Sequence, residues 1–133
     1  MKKVLFLLLT LILIAPSCKK EEKPATIEGK WHLYKSAIVS GPEGNRTRTE
    51  RDQNLYYEFS ANTVKITENG ETSEIDYSFN QAENTLKIGY LTYFVDTFKP
   101  KEMVLRIDGI TYTVIDGTIV QIVDENYNYF RKE

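Results

Sequence analysis

Val64-Lys65-Ile66-Thr67-Glu68-Asn69-Gly70-Glu71-Thr72-Ser73-Glu74-Ile75-Asp76-Tyr77-Ser78-Phe79 carries apolar side chains two positions apart before and after an Asn-Gly pair. Val64 and Ile66 precede the pair; Ile75, Tyr77 and Phe79 follow it, with Asp76 and Ser78 facing away. A period of two with one apolar face is the mark of a half-covered strand. Asn-Gly is the strongest short hairpin signal, because both residues tolerate the positive φ of a two-residue turn. The stretch therefore predicts two antiparallel strands, each needing cover on one face.

The same pattern extends in both directions. Upstream, Leu55, Tyr57 and Phe59 share a face opposite Glu58, and Ser60-Ala61-Asn62 turns the chain into Val64. Residues 40–54 read as a long polar loop, with Gly41-Pro42 and Gly44-Asn45 as turn signals. Residues 30–39 open the series with Trp31, Leu33, Ala37 and Val39 on one parity; Lys35 interrupts them and predicts a bulge. Downstream, residues 81–84 turn into Leu86 and Ile88, residues 90–98 form a strand ended by Lys99-Pro100, and residues 103–107 follow. Asp108-Gly109 and Asp116-Gly117 read as turns that divide residues 110–115 from 118–123, and residues 127–132 close the series. No helical period runs through the chain. Strands joined by short turns give an up-and-down order, and closing the sheet removes its edges. The reading is an all-β, antiparallel up-and-down barrel of about 8–10 strands over residues 27–133.

The chain has 133 residues, room for one such domain and a leader. Met1-Lys2-Lys3, an apolar run over residues 4–14 and Ala15-Pro16-Ser17-Cys18 have the order of a signal peptide, and the run falls short of the roughly 20 residues that span a bilayer. Ser17 before Cys18 resembles the lipobox of bacterial lipoproteins, which implies cleavage after residue 17 and acylation of Cys18. Residues 1–17 are then the signal peptide and residues 18–26 a charged tether. Lys19-Lys20-Glu21-Glu22-Lys23 resembles the export signal of surface lipoproteins in one large Gram-negative group. That resemblance implies an outer-membrane protein, lipid-anchored and exposed at the cell surface.

Gly29-x-Trp31 opening the first strand, the long first loop, the meander of short strands and Tyr129-Phe130-Arg131 closing the last one resemble the lipocalin-like, calycin-type domains of small bacterial lipoproteins. The resemblance implies binding of a small apolar or amphipathic molecule inside the barrel. It also implies that Trp31 is covered at the closed end by a basic residue of the last strand, Arg131. The alternative is a structural or protein-interaction module with a filled barrel.

Composition narrows the chemistry. A net charge of −2 leaves no electrostatic footprint for nucleic acid. The single cysteine lies in the leader, so the barrel has neither a disulfide nor a cysteine-based metal site. His32 is the only histidine; it lacks partners for a metal centre and for a nucleophilic triad, and it reads as a partly exposed strand residue. The Asp-Gly pairs lack calcium-loop spacing, and Asp124-Glu125 reads as turn chemistry. No enzyme activity, metal or cofactor is expected. Tyr57, Tyr77 and Tyr93 are the candidate ligand wall, flat surfaces with a hydroxyl to offer. Arg46, Arg48 and Arg51 read as members of a mobile polar loop, and a monomer is expected.

Overall fold

Strands β1 (Gly29–Ser40), β2 (Thr47–Phe59), β3 (Thr63–Glu68), β4 (Glu71–Asn80), β5 (Thr85–Ile88), β6 (Leu91–Phe98), β7 (Glu102–Ile115) and β8 (Thr118–Lys132) form one closed barrel. Each pairs antiparallel with its neighbours in sequence, and β8 returns to pair with β1. The computed structural model describes residues 24–133. The leader, Cys18 and the tether as far as Lys23 lie outside the described residues.

The turns follow local chemistry. Asn69-Gly70 and Asp116-Gly117 both have two consecutive positive φ values, 51° and 85° and 51° and 79°, the geometry of the predicted two-residue hairpins. Inward side chains follow the alternation: Trp31, Leu33, Phe59, Val64, Leu86, Ile88, Val95, Met103, Leu105 and Phe130 form one buried cluster with Ile27. The bulge falls between Leu33 and Lys35, as the interruption predicts. It changes the parity of β1: Leu33 pairs with inward Phe130, whereas Lys35 pairs with outward Tyr129. Ala37, expected beside Trp31 and Leu33, consequently lies on the outer face opposite Tyr127 and Glu50, buried there at 1% exposure.

Three expectations are corrected. Residues 40–54 are not one loop, since Thr47 onward pairs with β1; the segment looked loop-like because its side chains are exposed on both faces. Asp108-Gly109 is not a turn. It runs within β7 opposite Glu125 and Asp124, so Asp124-Glu125 is also strand. Two expected pairs of short strands thereby merge into β7 and β8, and the count is eight. At the closed end, Arg131 does not cover Trp31. Trp31 pairs with Lys132 and His32 with Arg131, so Lys132 shares the inward parity. The Lys132 ammonium lies 5.1 Å from the indole centroid, while the Arg131 guanidinium lies 4.2 Å from the outward Tyr34 ring.

Gly-x-Trp has a physical reason. Gly29 takes φ +117°, and a Cβ there would stand 2.9 Å from the Lys132 stem. The bend it permits brings the Ile27 carbonyl to the edge of the indole, where it accepts from Trp31 Nε1 at 2.7 Å. Lys132 Nζ donates to Thr26 O at 2.7 Å, closing the same end.

Candidate ligand-binding site

The interior divides into a sealed floor and an open upper half. At the floor, Trp31 and Val64 are fully buried, and Phe98 spans to Trp31 (6.4 Å between ring centroids) and Phe79 (5.0 Å). Phe59 meets Tyr77 edge-on at 4.9 Å, and Phe130 meets Tyr57 edge-on at 5.0 Å. Above this layer β3, β5 and β6 are short, while β1, β2, β7 and β8 continue. The wall rises on one side only, and the inner face becomes polar as it rises: Phe130, Asn128, Asn126 and Asp124 succeed one another along β8 opposite Met103, Leu105, Ile107 and Gly109.

All three candidate tyrosines pack against the core from the inner face. Their roles differ. The Tyr77 hydroxyl donates to the Ser60 carbonyl in the β2–β3 turn, so this ring belongs to the floor. Tyr57 and Tyr93 stand higher. Tyr57 pairs with Ile66 across β2–β3, and Tyr93 with Leu86 across β5–β6. Burial pushes the Tyr57 phenol up to about 12, with smaller contributions from Tyr93 and Glu68; burial also raises Tyr93. Both are neutral at physiological pH and can donate a hydrogen bond.

Next to Tyr57, a hollow of about 330 Å³ is lined by Ile66, Glu68, Asn69, Glu71 and Ser73. Ile66 pairs with Ser73 and Glu68 with Glu71, on the parity of the inward Val64, so the hollow opens on the inner side of the β3–β4 hairpin. Its volume lies at the lower end for small-molecule sites, about 300–1,000 Å³. Across the mouth, Gln53 donates to Ser36 at 2.9 Å on the inner face, and Thr111 donates to Asp124 Oδ2 at 3.3 Å. Asp124 Oδ1 is the one buried side-chain oxygen or nitrogen without a partner among the described residues. The upper inner face thus offers an apolar and aromatic base beneath a rim rich in hydrogen-bond acceptors.

Two of the three arginines expected in a mobile loop, Arg46 and Arg48, are tied down on the outer face. Arg46 donates to Glu125 and to the Val39 and Val123 carbonyls at 3.1–3.2 Å. Arg48 donates to Tyr129 Oη at 2.6 Å and to Glu50 at 2.9 Å, with its guanidinium 5.7–5.8 Å from the Tyr127 and Tyr129 rings. Sequence reasoning missed this cluster because its partners on β8 lie about 80 residues away. Arg51 instead pairs with Ser36, on the inner-face parity, and is exposed there. His32 stacks on Tyr56 at 4.7 Å with Nε2 3.0 Å from Asn54 Oδ1, on the outer face. Among the described residues no group of three or more His, Cys, Asp or Glu side chains could hold a metal.

Alkaline titration tests the Tyr57 environment. The folded phenol titrates near 12 against 10 in the open chain, so its contribution is fully present below pH 10 and is lost as pH rises toward about 12. The loss is on the order of 2 kcal/mol. Tyr57→Phe should flatten this part of the stability–pH curve; an unchanged slope between wild type and variant would show that the phenol is solvated.

A family model described as a lipocalin-like domain matches residues 9–93. No curated protein and no solved structure matches the chain.

Proposed function

Since this chain belongs to the lipocalin-like domain family, we propose that it binds a small amphipathic molecule in the upper half of its barrel. The observation that carries the reading is the pair of half-buried phenols, Tyr57 and Tyr93, packed on the core from the inner face, with Tyr57 paired to Ile66 at the edge of the hollow on the β3–β4 hairpin. The apolar part of the ligand rests on Tyr57, Tyr93, Leu55 and Ile66. Its polar end lies among Ser73, Glu68 and Glu71, which favours a head group that donates hydrogen bonds or carries positive charge. The closed floor limits ligand length, so a long acyl chain does not fit along the axis.

The full reading adds an address. The leader and the Cys18 tether support a lipid-anchored protein of the outer membrane, displayed at the cell surface, with Cys18 acylated. Mass spectrometry of membrane-extracted protein tests this: an acylated mature N-terminus is expected, and an unmodified chain released to the medium would exclude it. The site needs no catalytic group, and binding rather than turnover is the proposed activity.

Binding is tested by titrating the full chain with a medium-chain alkylamine and the matching alkanoate by calorimetry. Tyr57→Ala and Tyr93→Ala should each weaken binding of the amine about tenfold or more, since burial of a large side chain contributes roughly 1.5–3 kcal/mol. The filled floor also favours the second reading, a protein-interaction module. That reading takes over if no titrant binds tighter than about 1 mM, or roughly 4 kcal/mol.

A further inference from the structure

β7 and β8 continue as a ribbon beyond the rest of the barrel. β6 pairs with β7 only as far as Arg106, and β1 pairs with β8 only as far as Glu125. The two long strands go on pairing with each other to Ile115 and Thr118. Among the described residues, 109–123 therefore have no strand on either edge; Arg46 donates to the Val123 carbonyl at the base. Directly opposed residues of an antiparallel pair share a face. Counting from the inward Met103–Phe130 pair, Ile110 with Val123, Tyr112 with Gln121 and Val114 with Ile119 lie on the outer face. Ile110, Tyr112, Val114 and Ile119 are 61%, 67%, 66% and 73% exposed. In residues 109–123 the only charged side chain is Asp116, at the tip. Exposed strands of soluble proteins are usually guarded by lysine, proline or an inward charge, and beyond the inward Asp124 at its base this ribbon has none of these.

We propose that the outer face of the ribbon is the contact between two copies of this chain, packed face to face about a two-fold axis with the ribbons antiparallel. Four large side chains this exposed present a patch on the order of 500 Å², near the upper limit for a monomer surface. Doubled, it reaches the ~1,000 Å² that a specific interface needs. Between its ends, over residues 109–115 and 117–123, the face carries no charge; at the ends the Asp116 tip of one copy approaches Asp108 of the other, whose carboxylate is already paired with Arg106. An axis near the Tyr112–Gln121 pair sets Val114 and Ile119 of one copy against Ile110 and Val123 of the other and sends the two Asp116 tips to opposite ends. The contact is self-complementary and closes at two copies.

A membrane is the poorer occupant. Residues 107–124 contain three aspartates and no lysine or arginine, whereas interfacial segments use basic residues to meet lipid head groups. The ribbon tip also lies at the opposite end of the barrel from Gly29, so an anchor at Cys18 would hold the closed end nearest the bilayer. The two-copy arrangement departs from the expected monomer, because alternation in a sequence does not reveal which face of a ribbon is left uncovered.

Sedimentation equilibrium of the full chain in a mild detergent tests the proposal. Wild type should show the mass of two copies in the micromolar range. Tyr112→Lys/Val114→Lys, which shares the same leader, should sediment as one copy with an unchanged circular dichroism spectrum and melting temperature. Should the double variant not fold, Ile119→Thr is the deciding variant and should weaken association several-fold. Equal masses for wild type and variant, open-ended larger assemblies, or flotation of single copies with anionic vesicles that depends on Tyr112 would each overturn the proposal.

Discussion

Trp31→Ala lowers the unfolding free energy by about 3–5 kcal/mol, the range for deleting a large buried aromatic. Against a typical domain stability of about 5–15 kcal/mol, that is a large part of the whole. The indole is completely buried, its Nε1 donates to Ile27 O, Phe98 packs beside it and Lys132 caps it. Alanine removes the ring contacts, and the Ile27 carbonyl loses its donor. Arg131→Ala is the contrasting variant. It removes only the outer cation–π contact with Tyr34, about 0.5–1 kcal/mol at an exposed site. Urea unfolding of both variants reads the difference; equal losses would mean that the indole does not seal the barrel.

Phe130→Ala is the second large effect, also about 3–5 kcal/mol. Phe130 is 2% exposed, pairs with Met103 and Leu33, and meets Tyr57 edge-on. Its removal opens a cavity in the floor and takes away the ring that orients Tyr57. The variant should therefore lose stability and also bind the alkylamine more weakly. Tyr129→Ala changes the neighbouring outward residue and serves as the control: it releases Arg48 and Lys35 on the outer face and should leave binding unchanged. A Phe130→Ala protein that binds as wild type would separate the floor from the site.

Much of the barrel was legible from alternation and turn chemistry, because these depend on neighbours in sequence. Asn69-Gly70 and Asp116-Gly117 turn as their φ preferences require, and Lys35 marks the bulge. Asp108-Gly109 misled because the same dipeptide also tolerates extended backbone once a partner strand holds it, and β8 does. Residues 47–54 misled for the opposite reason: with neither face covered, no periodicity betrays a strand. The basic residue over Trp31 was placed one position off, since the pairing register of β1 with β8 is a long-range property. At the candidate site, the inward direction of Tyr57, Tyr77 and Tyr93 could be read from parity. The assignment of Tyr77 to the floor could not, because it depends on the stagger of β4 against the β2–β3 turn. The acceptor-rich rim arises where β3 and β4 meet at the mouth, and no sequence signal announced it.

The most direct test of the sealed floor and open mouth is to map chemical shifts of the isotopically labelled full chain during titration with the medium-chain alkylamine. Shifts concentrated at Leu55, Tyr57, Ile66, Ser73 and Tyr93, with the Trp31 indole and Met103 methyl signals unmoved, are the predicted result. Shifts confined to outward residues such as Tyr34 and Tyr56, or no shifts at all, would contradict it.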